Sequence, residues 1–118
     1  MSSMKAKPKS EAWVKKEVKK IFAEYGCPSP YMPAASIYGK AGGADFIECM
    51  FGYYVAIETK KFGNAQTELH KKFMLGVQAR GGTYLLVYES NLQDVREVFN
   101  NWKCNLCFSA EESVQISK

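Results

Sequence analysis

No apolar run in this chain approaches the roughly 20 residues that a membrane-spanning helix needs, so no such helix is expected. The first residues also lack the apolar core of a signal peptide, and the expected location is the cytoplasm. Histidine occurs once, at His70, and a lone imidazole supports no metal site by itself. Cysteine is sparse: Cys27, Cys49, Cys104 and Cys107. A structural zinc takes four ligands. The close pair Cys104 and Cys107 has no second Cys/His pair near it, so Cys27, Cys49 and His70 would have to converge from separate elements. Zinc is therefore not expected, and in a reducing compartment the four cysteines are expected as free thiols. There is no internal repeat, and no low-complexity segment beyond a basic lead-in.

What is present fits one globular domain. The chain has 118 residues, 47% of them hydrophobic and 14% aromatic, enough for a single core but not two. The net charge of +4 is modest but unevenly placed. Seven lysines (Lys5, Lys7, Lys9, Lys15, Lys16, Lys19 and Lys20) fall in the first twenty residues, against only Glu11 and Glu17. Such a surface attracts polyanions, nucleic acid above all; a merely solvated helix face is the alternative.

Residues 1–9 read as a lysine-rich, flexible lead-in and 10–118 as the domain. Ser10 is placed to cap a helix over 10–25, with Val14, Val18, Ile21, Phe22 and Tyr25 at helical spacing. Gly26 ends it, and Pro28, Pro30 and Pro33 forbid helix beyond. A short strand is expected over 35–38, then a loop containing Gly39, Gly42 and Gly43. Strands over 45–50 and 53–59 flank a Phe51-Gly52 turn. A helix over 66–79 is expected to bury Leu69, Phe73 and Val77, and Gly81-Gly82 to stop it. The uncharged run 83–88 suits a central strand covered on both faces. Ser90-Asn91-Leu92-Gln93 reads as a capping box for a last helix ending near Trp102, with 113–116 available as an edge strand. The order is α–β–β–β–α–β–α: an α/β fold with a mixed sheet, including a right-handed βαβ crossover.

The most informative residues are Asp45, at the start of one strand, and Glu58-Thr59-Lys60, at the end of the next. If the strands pair, Asp45 and Glu58 meet at one end of the hairpin. The strand period of two puts Glu58 and Lys60 on one face and Thr59 on the other. Two carboxylates and a lysine converging there suit a hard cation with an adjacent proton handler. The bland alternatives are a strand-entry turn at Asp45 and a strand-end ion pair between Glu58 and Lys60.

This constellation, with the flanking helix and crossover, resembles the PD-(D/E)XK nuclease core, a restriction-endonuclease-like fold. Within it the chain is most similar to small, stand-alone, virus-type members of the VRR-NUC family. Glu11 opens the first helix as a family glutamate does. Gly43-Ala44-Asp45-Phe46-Ile47 is similar to the family's Gly-x-Pro-Asp-hydrophobic run, with Ala44 where proline is usual. Phe73 and the run from Gly81 to Val87 look like the second helix, glycine pair and following strand. One departure is that many members carry a glutamine where His70 stands, with Gln66 one turn earlier.

The resemblance implies a metal-dependent, structure-selective DNA endonuclease, acting on branched substrates such as four-way (Holliday) junctions or flaps, in the host cytoplasm for a viral protein. Asp45, Glu58 and the main-chain carbonyl of Thr59 would hold Mg²⁺ or Mn²⁺. Glu11 would assist from the first helix, with Glu17 as the alternative carboxylate. Lys60 would orient water or offset charge on the phosphate. Lys15, Lys19, Lys40, Lys61 and His70 are the expected nucleic-acid contacts. Because one active site cannot cut two strands symmetrically, a homodimer is expected, pairing near Trp102 or the proline-rich segment. A non-catalytic nucleic-acid-binding module on the same scaffold is the rival function. Trp13 is expected as packing rather than a base-stacking platform.

Overall fold

Ser10 begins the order: its hydroxyl accepts the backbone N–H of Trp13 at 3.1 Å, satisfying one of the open donors of helix α1 (Glu11–Glu24). The computed structural model describes residues 7–33 and 43–116. Val14, Val18, Ile21 and Phe22 form the buried stripe of α1. The helix closes on Gly26, whose φ of 93° is left-handed. There the N–H of Cys27 reaches the carbonyl of Phe22 at 2.9 Å and that of Gly26 reaches Ala23 at 3.1 Å. This is a Schellman closure, which needs a residue tolerant of positive φ. Gly26→Ala has room for its methyl group but not the backbone freedom. It should lower unfolding stability by about 1 kcal/mol in denaturant melts.

Strands β1 (Phe46–Met50) and β2 (Tyr53–Thr59) pair antiparallel, with Phe46 opposite Ile57 and Met50 opposite Tyr53. The two residues between them, Phe51 and Gly52, have φ of 56° and 89°, the pattern of a type I′ turn whose twist matches the strands. Helix α2 (Glu68–Ala79) crosses over to β3 (Thr83–Val87), which lies parallel to β2. A 3₁₀ turn (Glu89–Asn91) leads into α3 (Leu92–Ile116). The sheet is mixed, three-stranded and ordered β1-β2-β3.

Alternation along β2 splits the interior in two. Val55 and Ile57 point to a core shared with Phe46, Phe22, Val87 and Phe99, whereas Ala56 joins Ala44, Val77 and Tyr84 under α2. Glu58 therefore lies on the α2 face and Thr59 on the face toward α1 and α3. Among the described residues, no helix is long and apolar enough to cross a membrane.

Several expectations need correction. The described order is α–β–β–α–β–α; the strand expected over 35–38 lies outside the described residues, as do Gly39, Lys40 and Gly42. The central strand is β2, buried from Val55 through Thr59, and not β3, where Leu85 and Leu86 are only half-buried. Leu69 is 52% exposed because the sheet-facing stripe of α2 runs through His70, Phe73, Met74 and Val77, with the histidine in an inward position. Ser90 falls inside the 3₁₀ turn rather than capping α3. There the Asn91 amide accepts the N–H of Tyr88 at 2.7 Å and donates to the carbonyl of Leu86 at 3.0 Å. Residues 113–116 continue α3 instead of adding a strand: no proline or glycine interrupts 92–116, so nothing breaks the helix.

Candidate metal and phosphodiester site

The hairpin brings Asp45 and the Glu58-Thr59-Lys60 segment to one end of the sheet. The N–H of Asp45 reaches the Ile57 carbonyl at 2.9 Å, extending the ladder one step past the Phe46–Ile57 pair. The Asp45 carboxylate is clamped through one oxygen: Oδ2 accepts both the N–H and the hydroxyl of Thr59, each at 2.8 Å. Its other oxygen faces Lys15, whose Nζ is 3.6 Å away. The clamp holds the rotamer of Asp45 and leaves Oδ1 to Lys15, whose side chain is one-third exposed.

Glu58 is the unusual residue. Its side chain is only 2% exposed, at a depth where an ionised carboxylate needs partners. Oε1 accepts the hydroxyl of Tyr84. Among the described residues Oε2 has no hydrogen bond, although Lys60 Nζ stands at 3.5 Å and His70 Nδ1 at 3.1 Å. Tyr84 in turn accepts from Gln66 Nε2 at 3.4 Å. Burial, and then the bond to Glu58, push the Tyr84 phenol well above its usual range. The folded protein thus keeps a proton that an unfolded tyrosine releases near pH 10. Stability from this source is present below that pH and is lost as pH rises beyond it. Denaturant melts between about pH 9 and 11 should show the decline, and Tyr84→Phe should flatten it.

His70 serves two structures. Thr67 caps α2 by accepting the N–H of His70 at 3.1 Å, and the Thr67 hydroxyl lies 2.8 Å from His70 Nδ1. The same Nδ1 faces Glu58. It accepts from Thr67 when unprotonated and donates to Glu58 when protonated, one role at a time. With its side chain 18% exposed, His70 belongs to the carboxylate cluster more than to an open surface. Gln66 reaches that cluster through Tyr84, so His70 and Gln66 both meet there.

The remaining expected residues lie around this centre. Glu11 and Lys19 line a groove with Lys15, Lys16 and Met32 on the outer side of α1. Glu11 makes no described hydrogen bond or ion pair with Asp45 or Glu58. Glu17 is 3.1 Å from Lys20. Lys61 is exposed beside Lys60. Trp13 packs against the main core, with Lys9 Nζ 5.2 Å from its ring centre. Trp102 is only 8% exposed and stacks on Tyr53 at 4.7 Å, so its ring is spent within the chain; Tyr31 and Met32 of the proline-rich segment are exposed. Cys27, Cys49 and Cys104 are free thiols.

Two contributors were missed in the sequence, the Thr59 side chain and Tyr84. Thr59 entered only through its carbonyl, yet its hydroxyl positions Asp45. Tyr84 had a readable signal: opposite Ala56 in a parallel pair, it is the polar-tipped member of the strand face that also meets Glu58.

Among the described residues, no three His, Cys, Asp or Glu side chains converge as a ready metal-holding group. The donors at this end of the sheet are hard oxygens: Asp45 Oδ1 beside Lys15, Glu58 Oε2 near Lys60 and His70 on the α2 face, and the adjoining backbone. Mg²⁺ keeps several waters and binds through one or two carboxylates, so this set fits such an ion. No known family, curated protein or solved structure matches the chain.

Proposed function

We propose that this protein is a divalent-metal-dependent endonuclease that hydrolyses DNA phosphodiester bonds, with Asp45 and Glu58 as metal-binding carboxylates and Lys60 beside them. The observation that carries the reading is Glu58: a buried carboxylate with one oxygen lacking a hydrogen bond among the described residues, at the strand end where Thr59 clamps the carboxylate of Asp45. Burying such a group costs stability; Lys60 and His70 beside Oε2 offset part of that cost, and a hard cation there would offset more. Mg²⁺ or Mn²⁺ would be held by Asp45, Glu58 and the Thr59 carbonyl, and it supplies Lewis acidity toward water and phosphate.

The side chains have separable parts in this reading. Thr59 holds Asp45 with Oδ1 left to Lys15. Tyr84 and His70 fix the plane of the Glu58 carboxylate. Lys60, 14% exposed, places a cation where it orients water or offsets charge on the phosphate. Glu11, one helical turn before Lys15, would assist from α1, directly or through water. The exposed Lys16, Lys19, Lys20 and Lys61 attract the polyanion, with salt-dependent affinity. A branched or flapped substrate and a homodimeric enzyme complete the proposal; the substrate rests on the VRR-NUC resemblance, and the dimer on the need for a second active site to cut two strands symmetrically.

The test is incubation of the purified protein with Mg²⁺ or Mn²⁺ and junction, flap, duplex and single-stranded DNA. Cleavage that chelation abolishes is the expected result. The second reading, a binding module without catalysis, is favoured by one observation: Lys60, His70 and Tyr84 already surround Glu58. It predicts salt-sensitive binding and no cut strand with either metal. Light scattering at micromolar concentration checks the dimer.

A further inference from the structure

At the other end of α2 from Glu58 lies a cavity of about 530 Å³ that the hydrolytic site does not use. Its apolar wall is Tyr54, Phe73 and Val77, its cations are Lys72 and Arg80, and among the described residues no carboxylate lines it. Two glycines keep it open. Gly82 brings backbone so close to Tyr54 that a Cβ there would sit 2.8 Å from the ring. Gly76 is an interior helix position where alanine would be better by about 1 kcal/mol; its bare Cα leaves the cavity clear beneath Arg80. Tyr54 remains 43% exposed, with one edge against Gly82 and the rest available.

From these features we infer that the cavity is a subsite for one unpaired nucleotide of the DNA strand, its base stacked on Tyr54 and its phosphate met by Lys72 and Arg80. An aromatic face rimmed by cations, without acidic groups, is the combination that holds single-stranded nucleic acid. Its position agrees. Tyr54, Ala56 and Glu58 share one face of β2, and at a strand rise of roughly 3.3 Å per residue Tyr54 stands about 13 Å from Glu58. That is about four steps of a stacked strand at ~3.4 Å each. The inference deepens the nuclease reading and, for substrate choice, rests on it: a base must leave its duplex to enter, so flaps and single-stranded arms are preferred over fully paired junctions.

The experiment measures anisotropy of a labelled oligothymidine of about a dozen nucleotides and of a blunt duplex of equal length, in chelator so that nothing is cut. Tyr54→Ala and Gly76→Leu should each weaken oligothymidine binding about tenfold and leave duplex binding, carried by the lysines of α1, within about twofold. Should Tyr54→Ala fail to fold by circular dichroism, Gly76→Leu decides. Leucine favours the helix, and its Cβ would meet the end of Arg80, 3.1 Å away, which also donates to the Gly76 carbonyl. Unchanged oligothymidine affinity in a folded variant, or equal losses on both DNAs, overturns the subsite. So does a loss of dimer without loss of oligothymidine, which would assign the face to a second copy. A protein that cuts no DNA yet releases oligothymidine on Tyr54→Ala keeps the subsite and loses the hydrolytic reading; one that cuts while both variants bind normally does the reverse.

Discussion

Asp45→Asn should abolish cleavage while leaving the fold intact, and Asp45→Ala should do both kinds of damage. The difference follows from the two oxygens of this side chain. Oδ2 accepts the N–H and hydroxyl of Thr59, and an asparagine carbonyl can take over both bonds. Alanine cannot. It leaves a fully buried threonine hydroxyl and N–H without their acceptor, at a cost of about 1–3 kcal/mol for each unsatisfied group. The function assigned to Asp45 depends instead on its negative charge, which both variants remove. Losing one metal carboxylate should lower the cleavage rate about a thousandfold, equivalent to ~4 kcal/mol of transition-state stabilisation. Thermal melts and single-turnover cleavage of the same preparations separate the effects. Full activity in Asp45→Asn would sink the assignment of this carboxylate.

Phe22→Ala should be the most damaging core substitution. Phe22 is 0% exposed, and its ring lies 5.5 Å from that of Phe46 and 5.3 Å from that of Phe99. It thus joins α1, the hairpin and α3. Truncation removes about 3–5 kcal/mol through lost transfer energy and the cavity left behind. A domain of this size has only about 5–15 kcal/mol in all, so the melting temperature should fall by about 15 °C. Because Phe46 directly follows Asp45, loosening this contact should also blur the carboxylate geometry. A drop of only a degree or two would mean the three elements are not joined through this ring.

How much could be read beforehand varied with the range of the interaction. The cap at Ser10, the stripe of α1, the stop at Gly26 and the turn at Phe51-Gly52 are local, set by side-chain chemistry within a few residues. The hairpin then follows, because a two-residue turn leaves one register, and that register puts Asp45 across from Glu58. Reading α2 by its apolar residues alone misplaced Leu69, since the inward stripe includes His70. The length of α3 was hidden because its last turns carry little apolar signal, while the absence of any breaker should have counted for more.

By itself, then, the order of residues settles the helices, the hairpin and the meeting of an aspartate with a Glu-x-Lys segment at a strand end, all through contacts short in sequence. Only the folded chain decides that β2 is the middle strand, that Tyr84 and His70 close on Glu58, and that Thr59 aims Asp45. Tyr84 and His70 reach Glu58 only after α2 has crossed over the sheet. The crossing is governed by burial of whole faces, which no short window of the sequence contains.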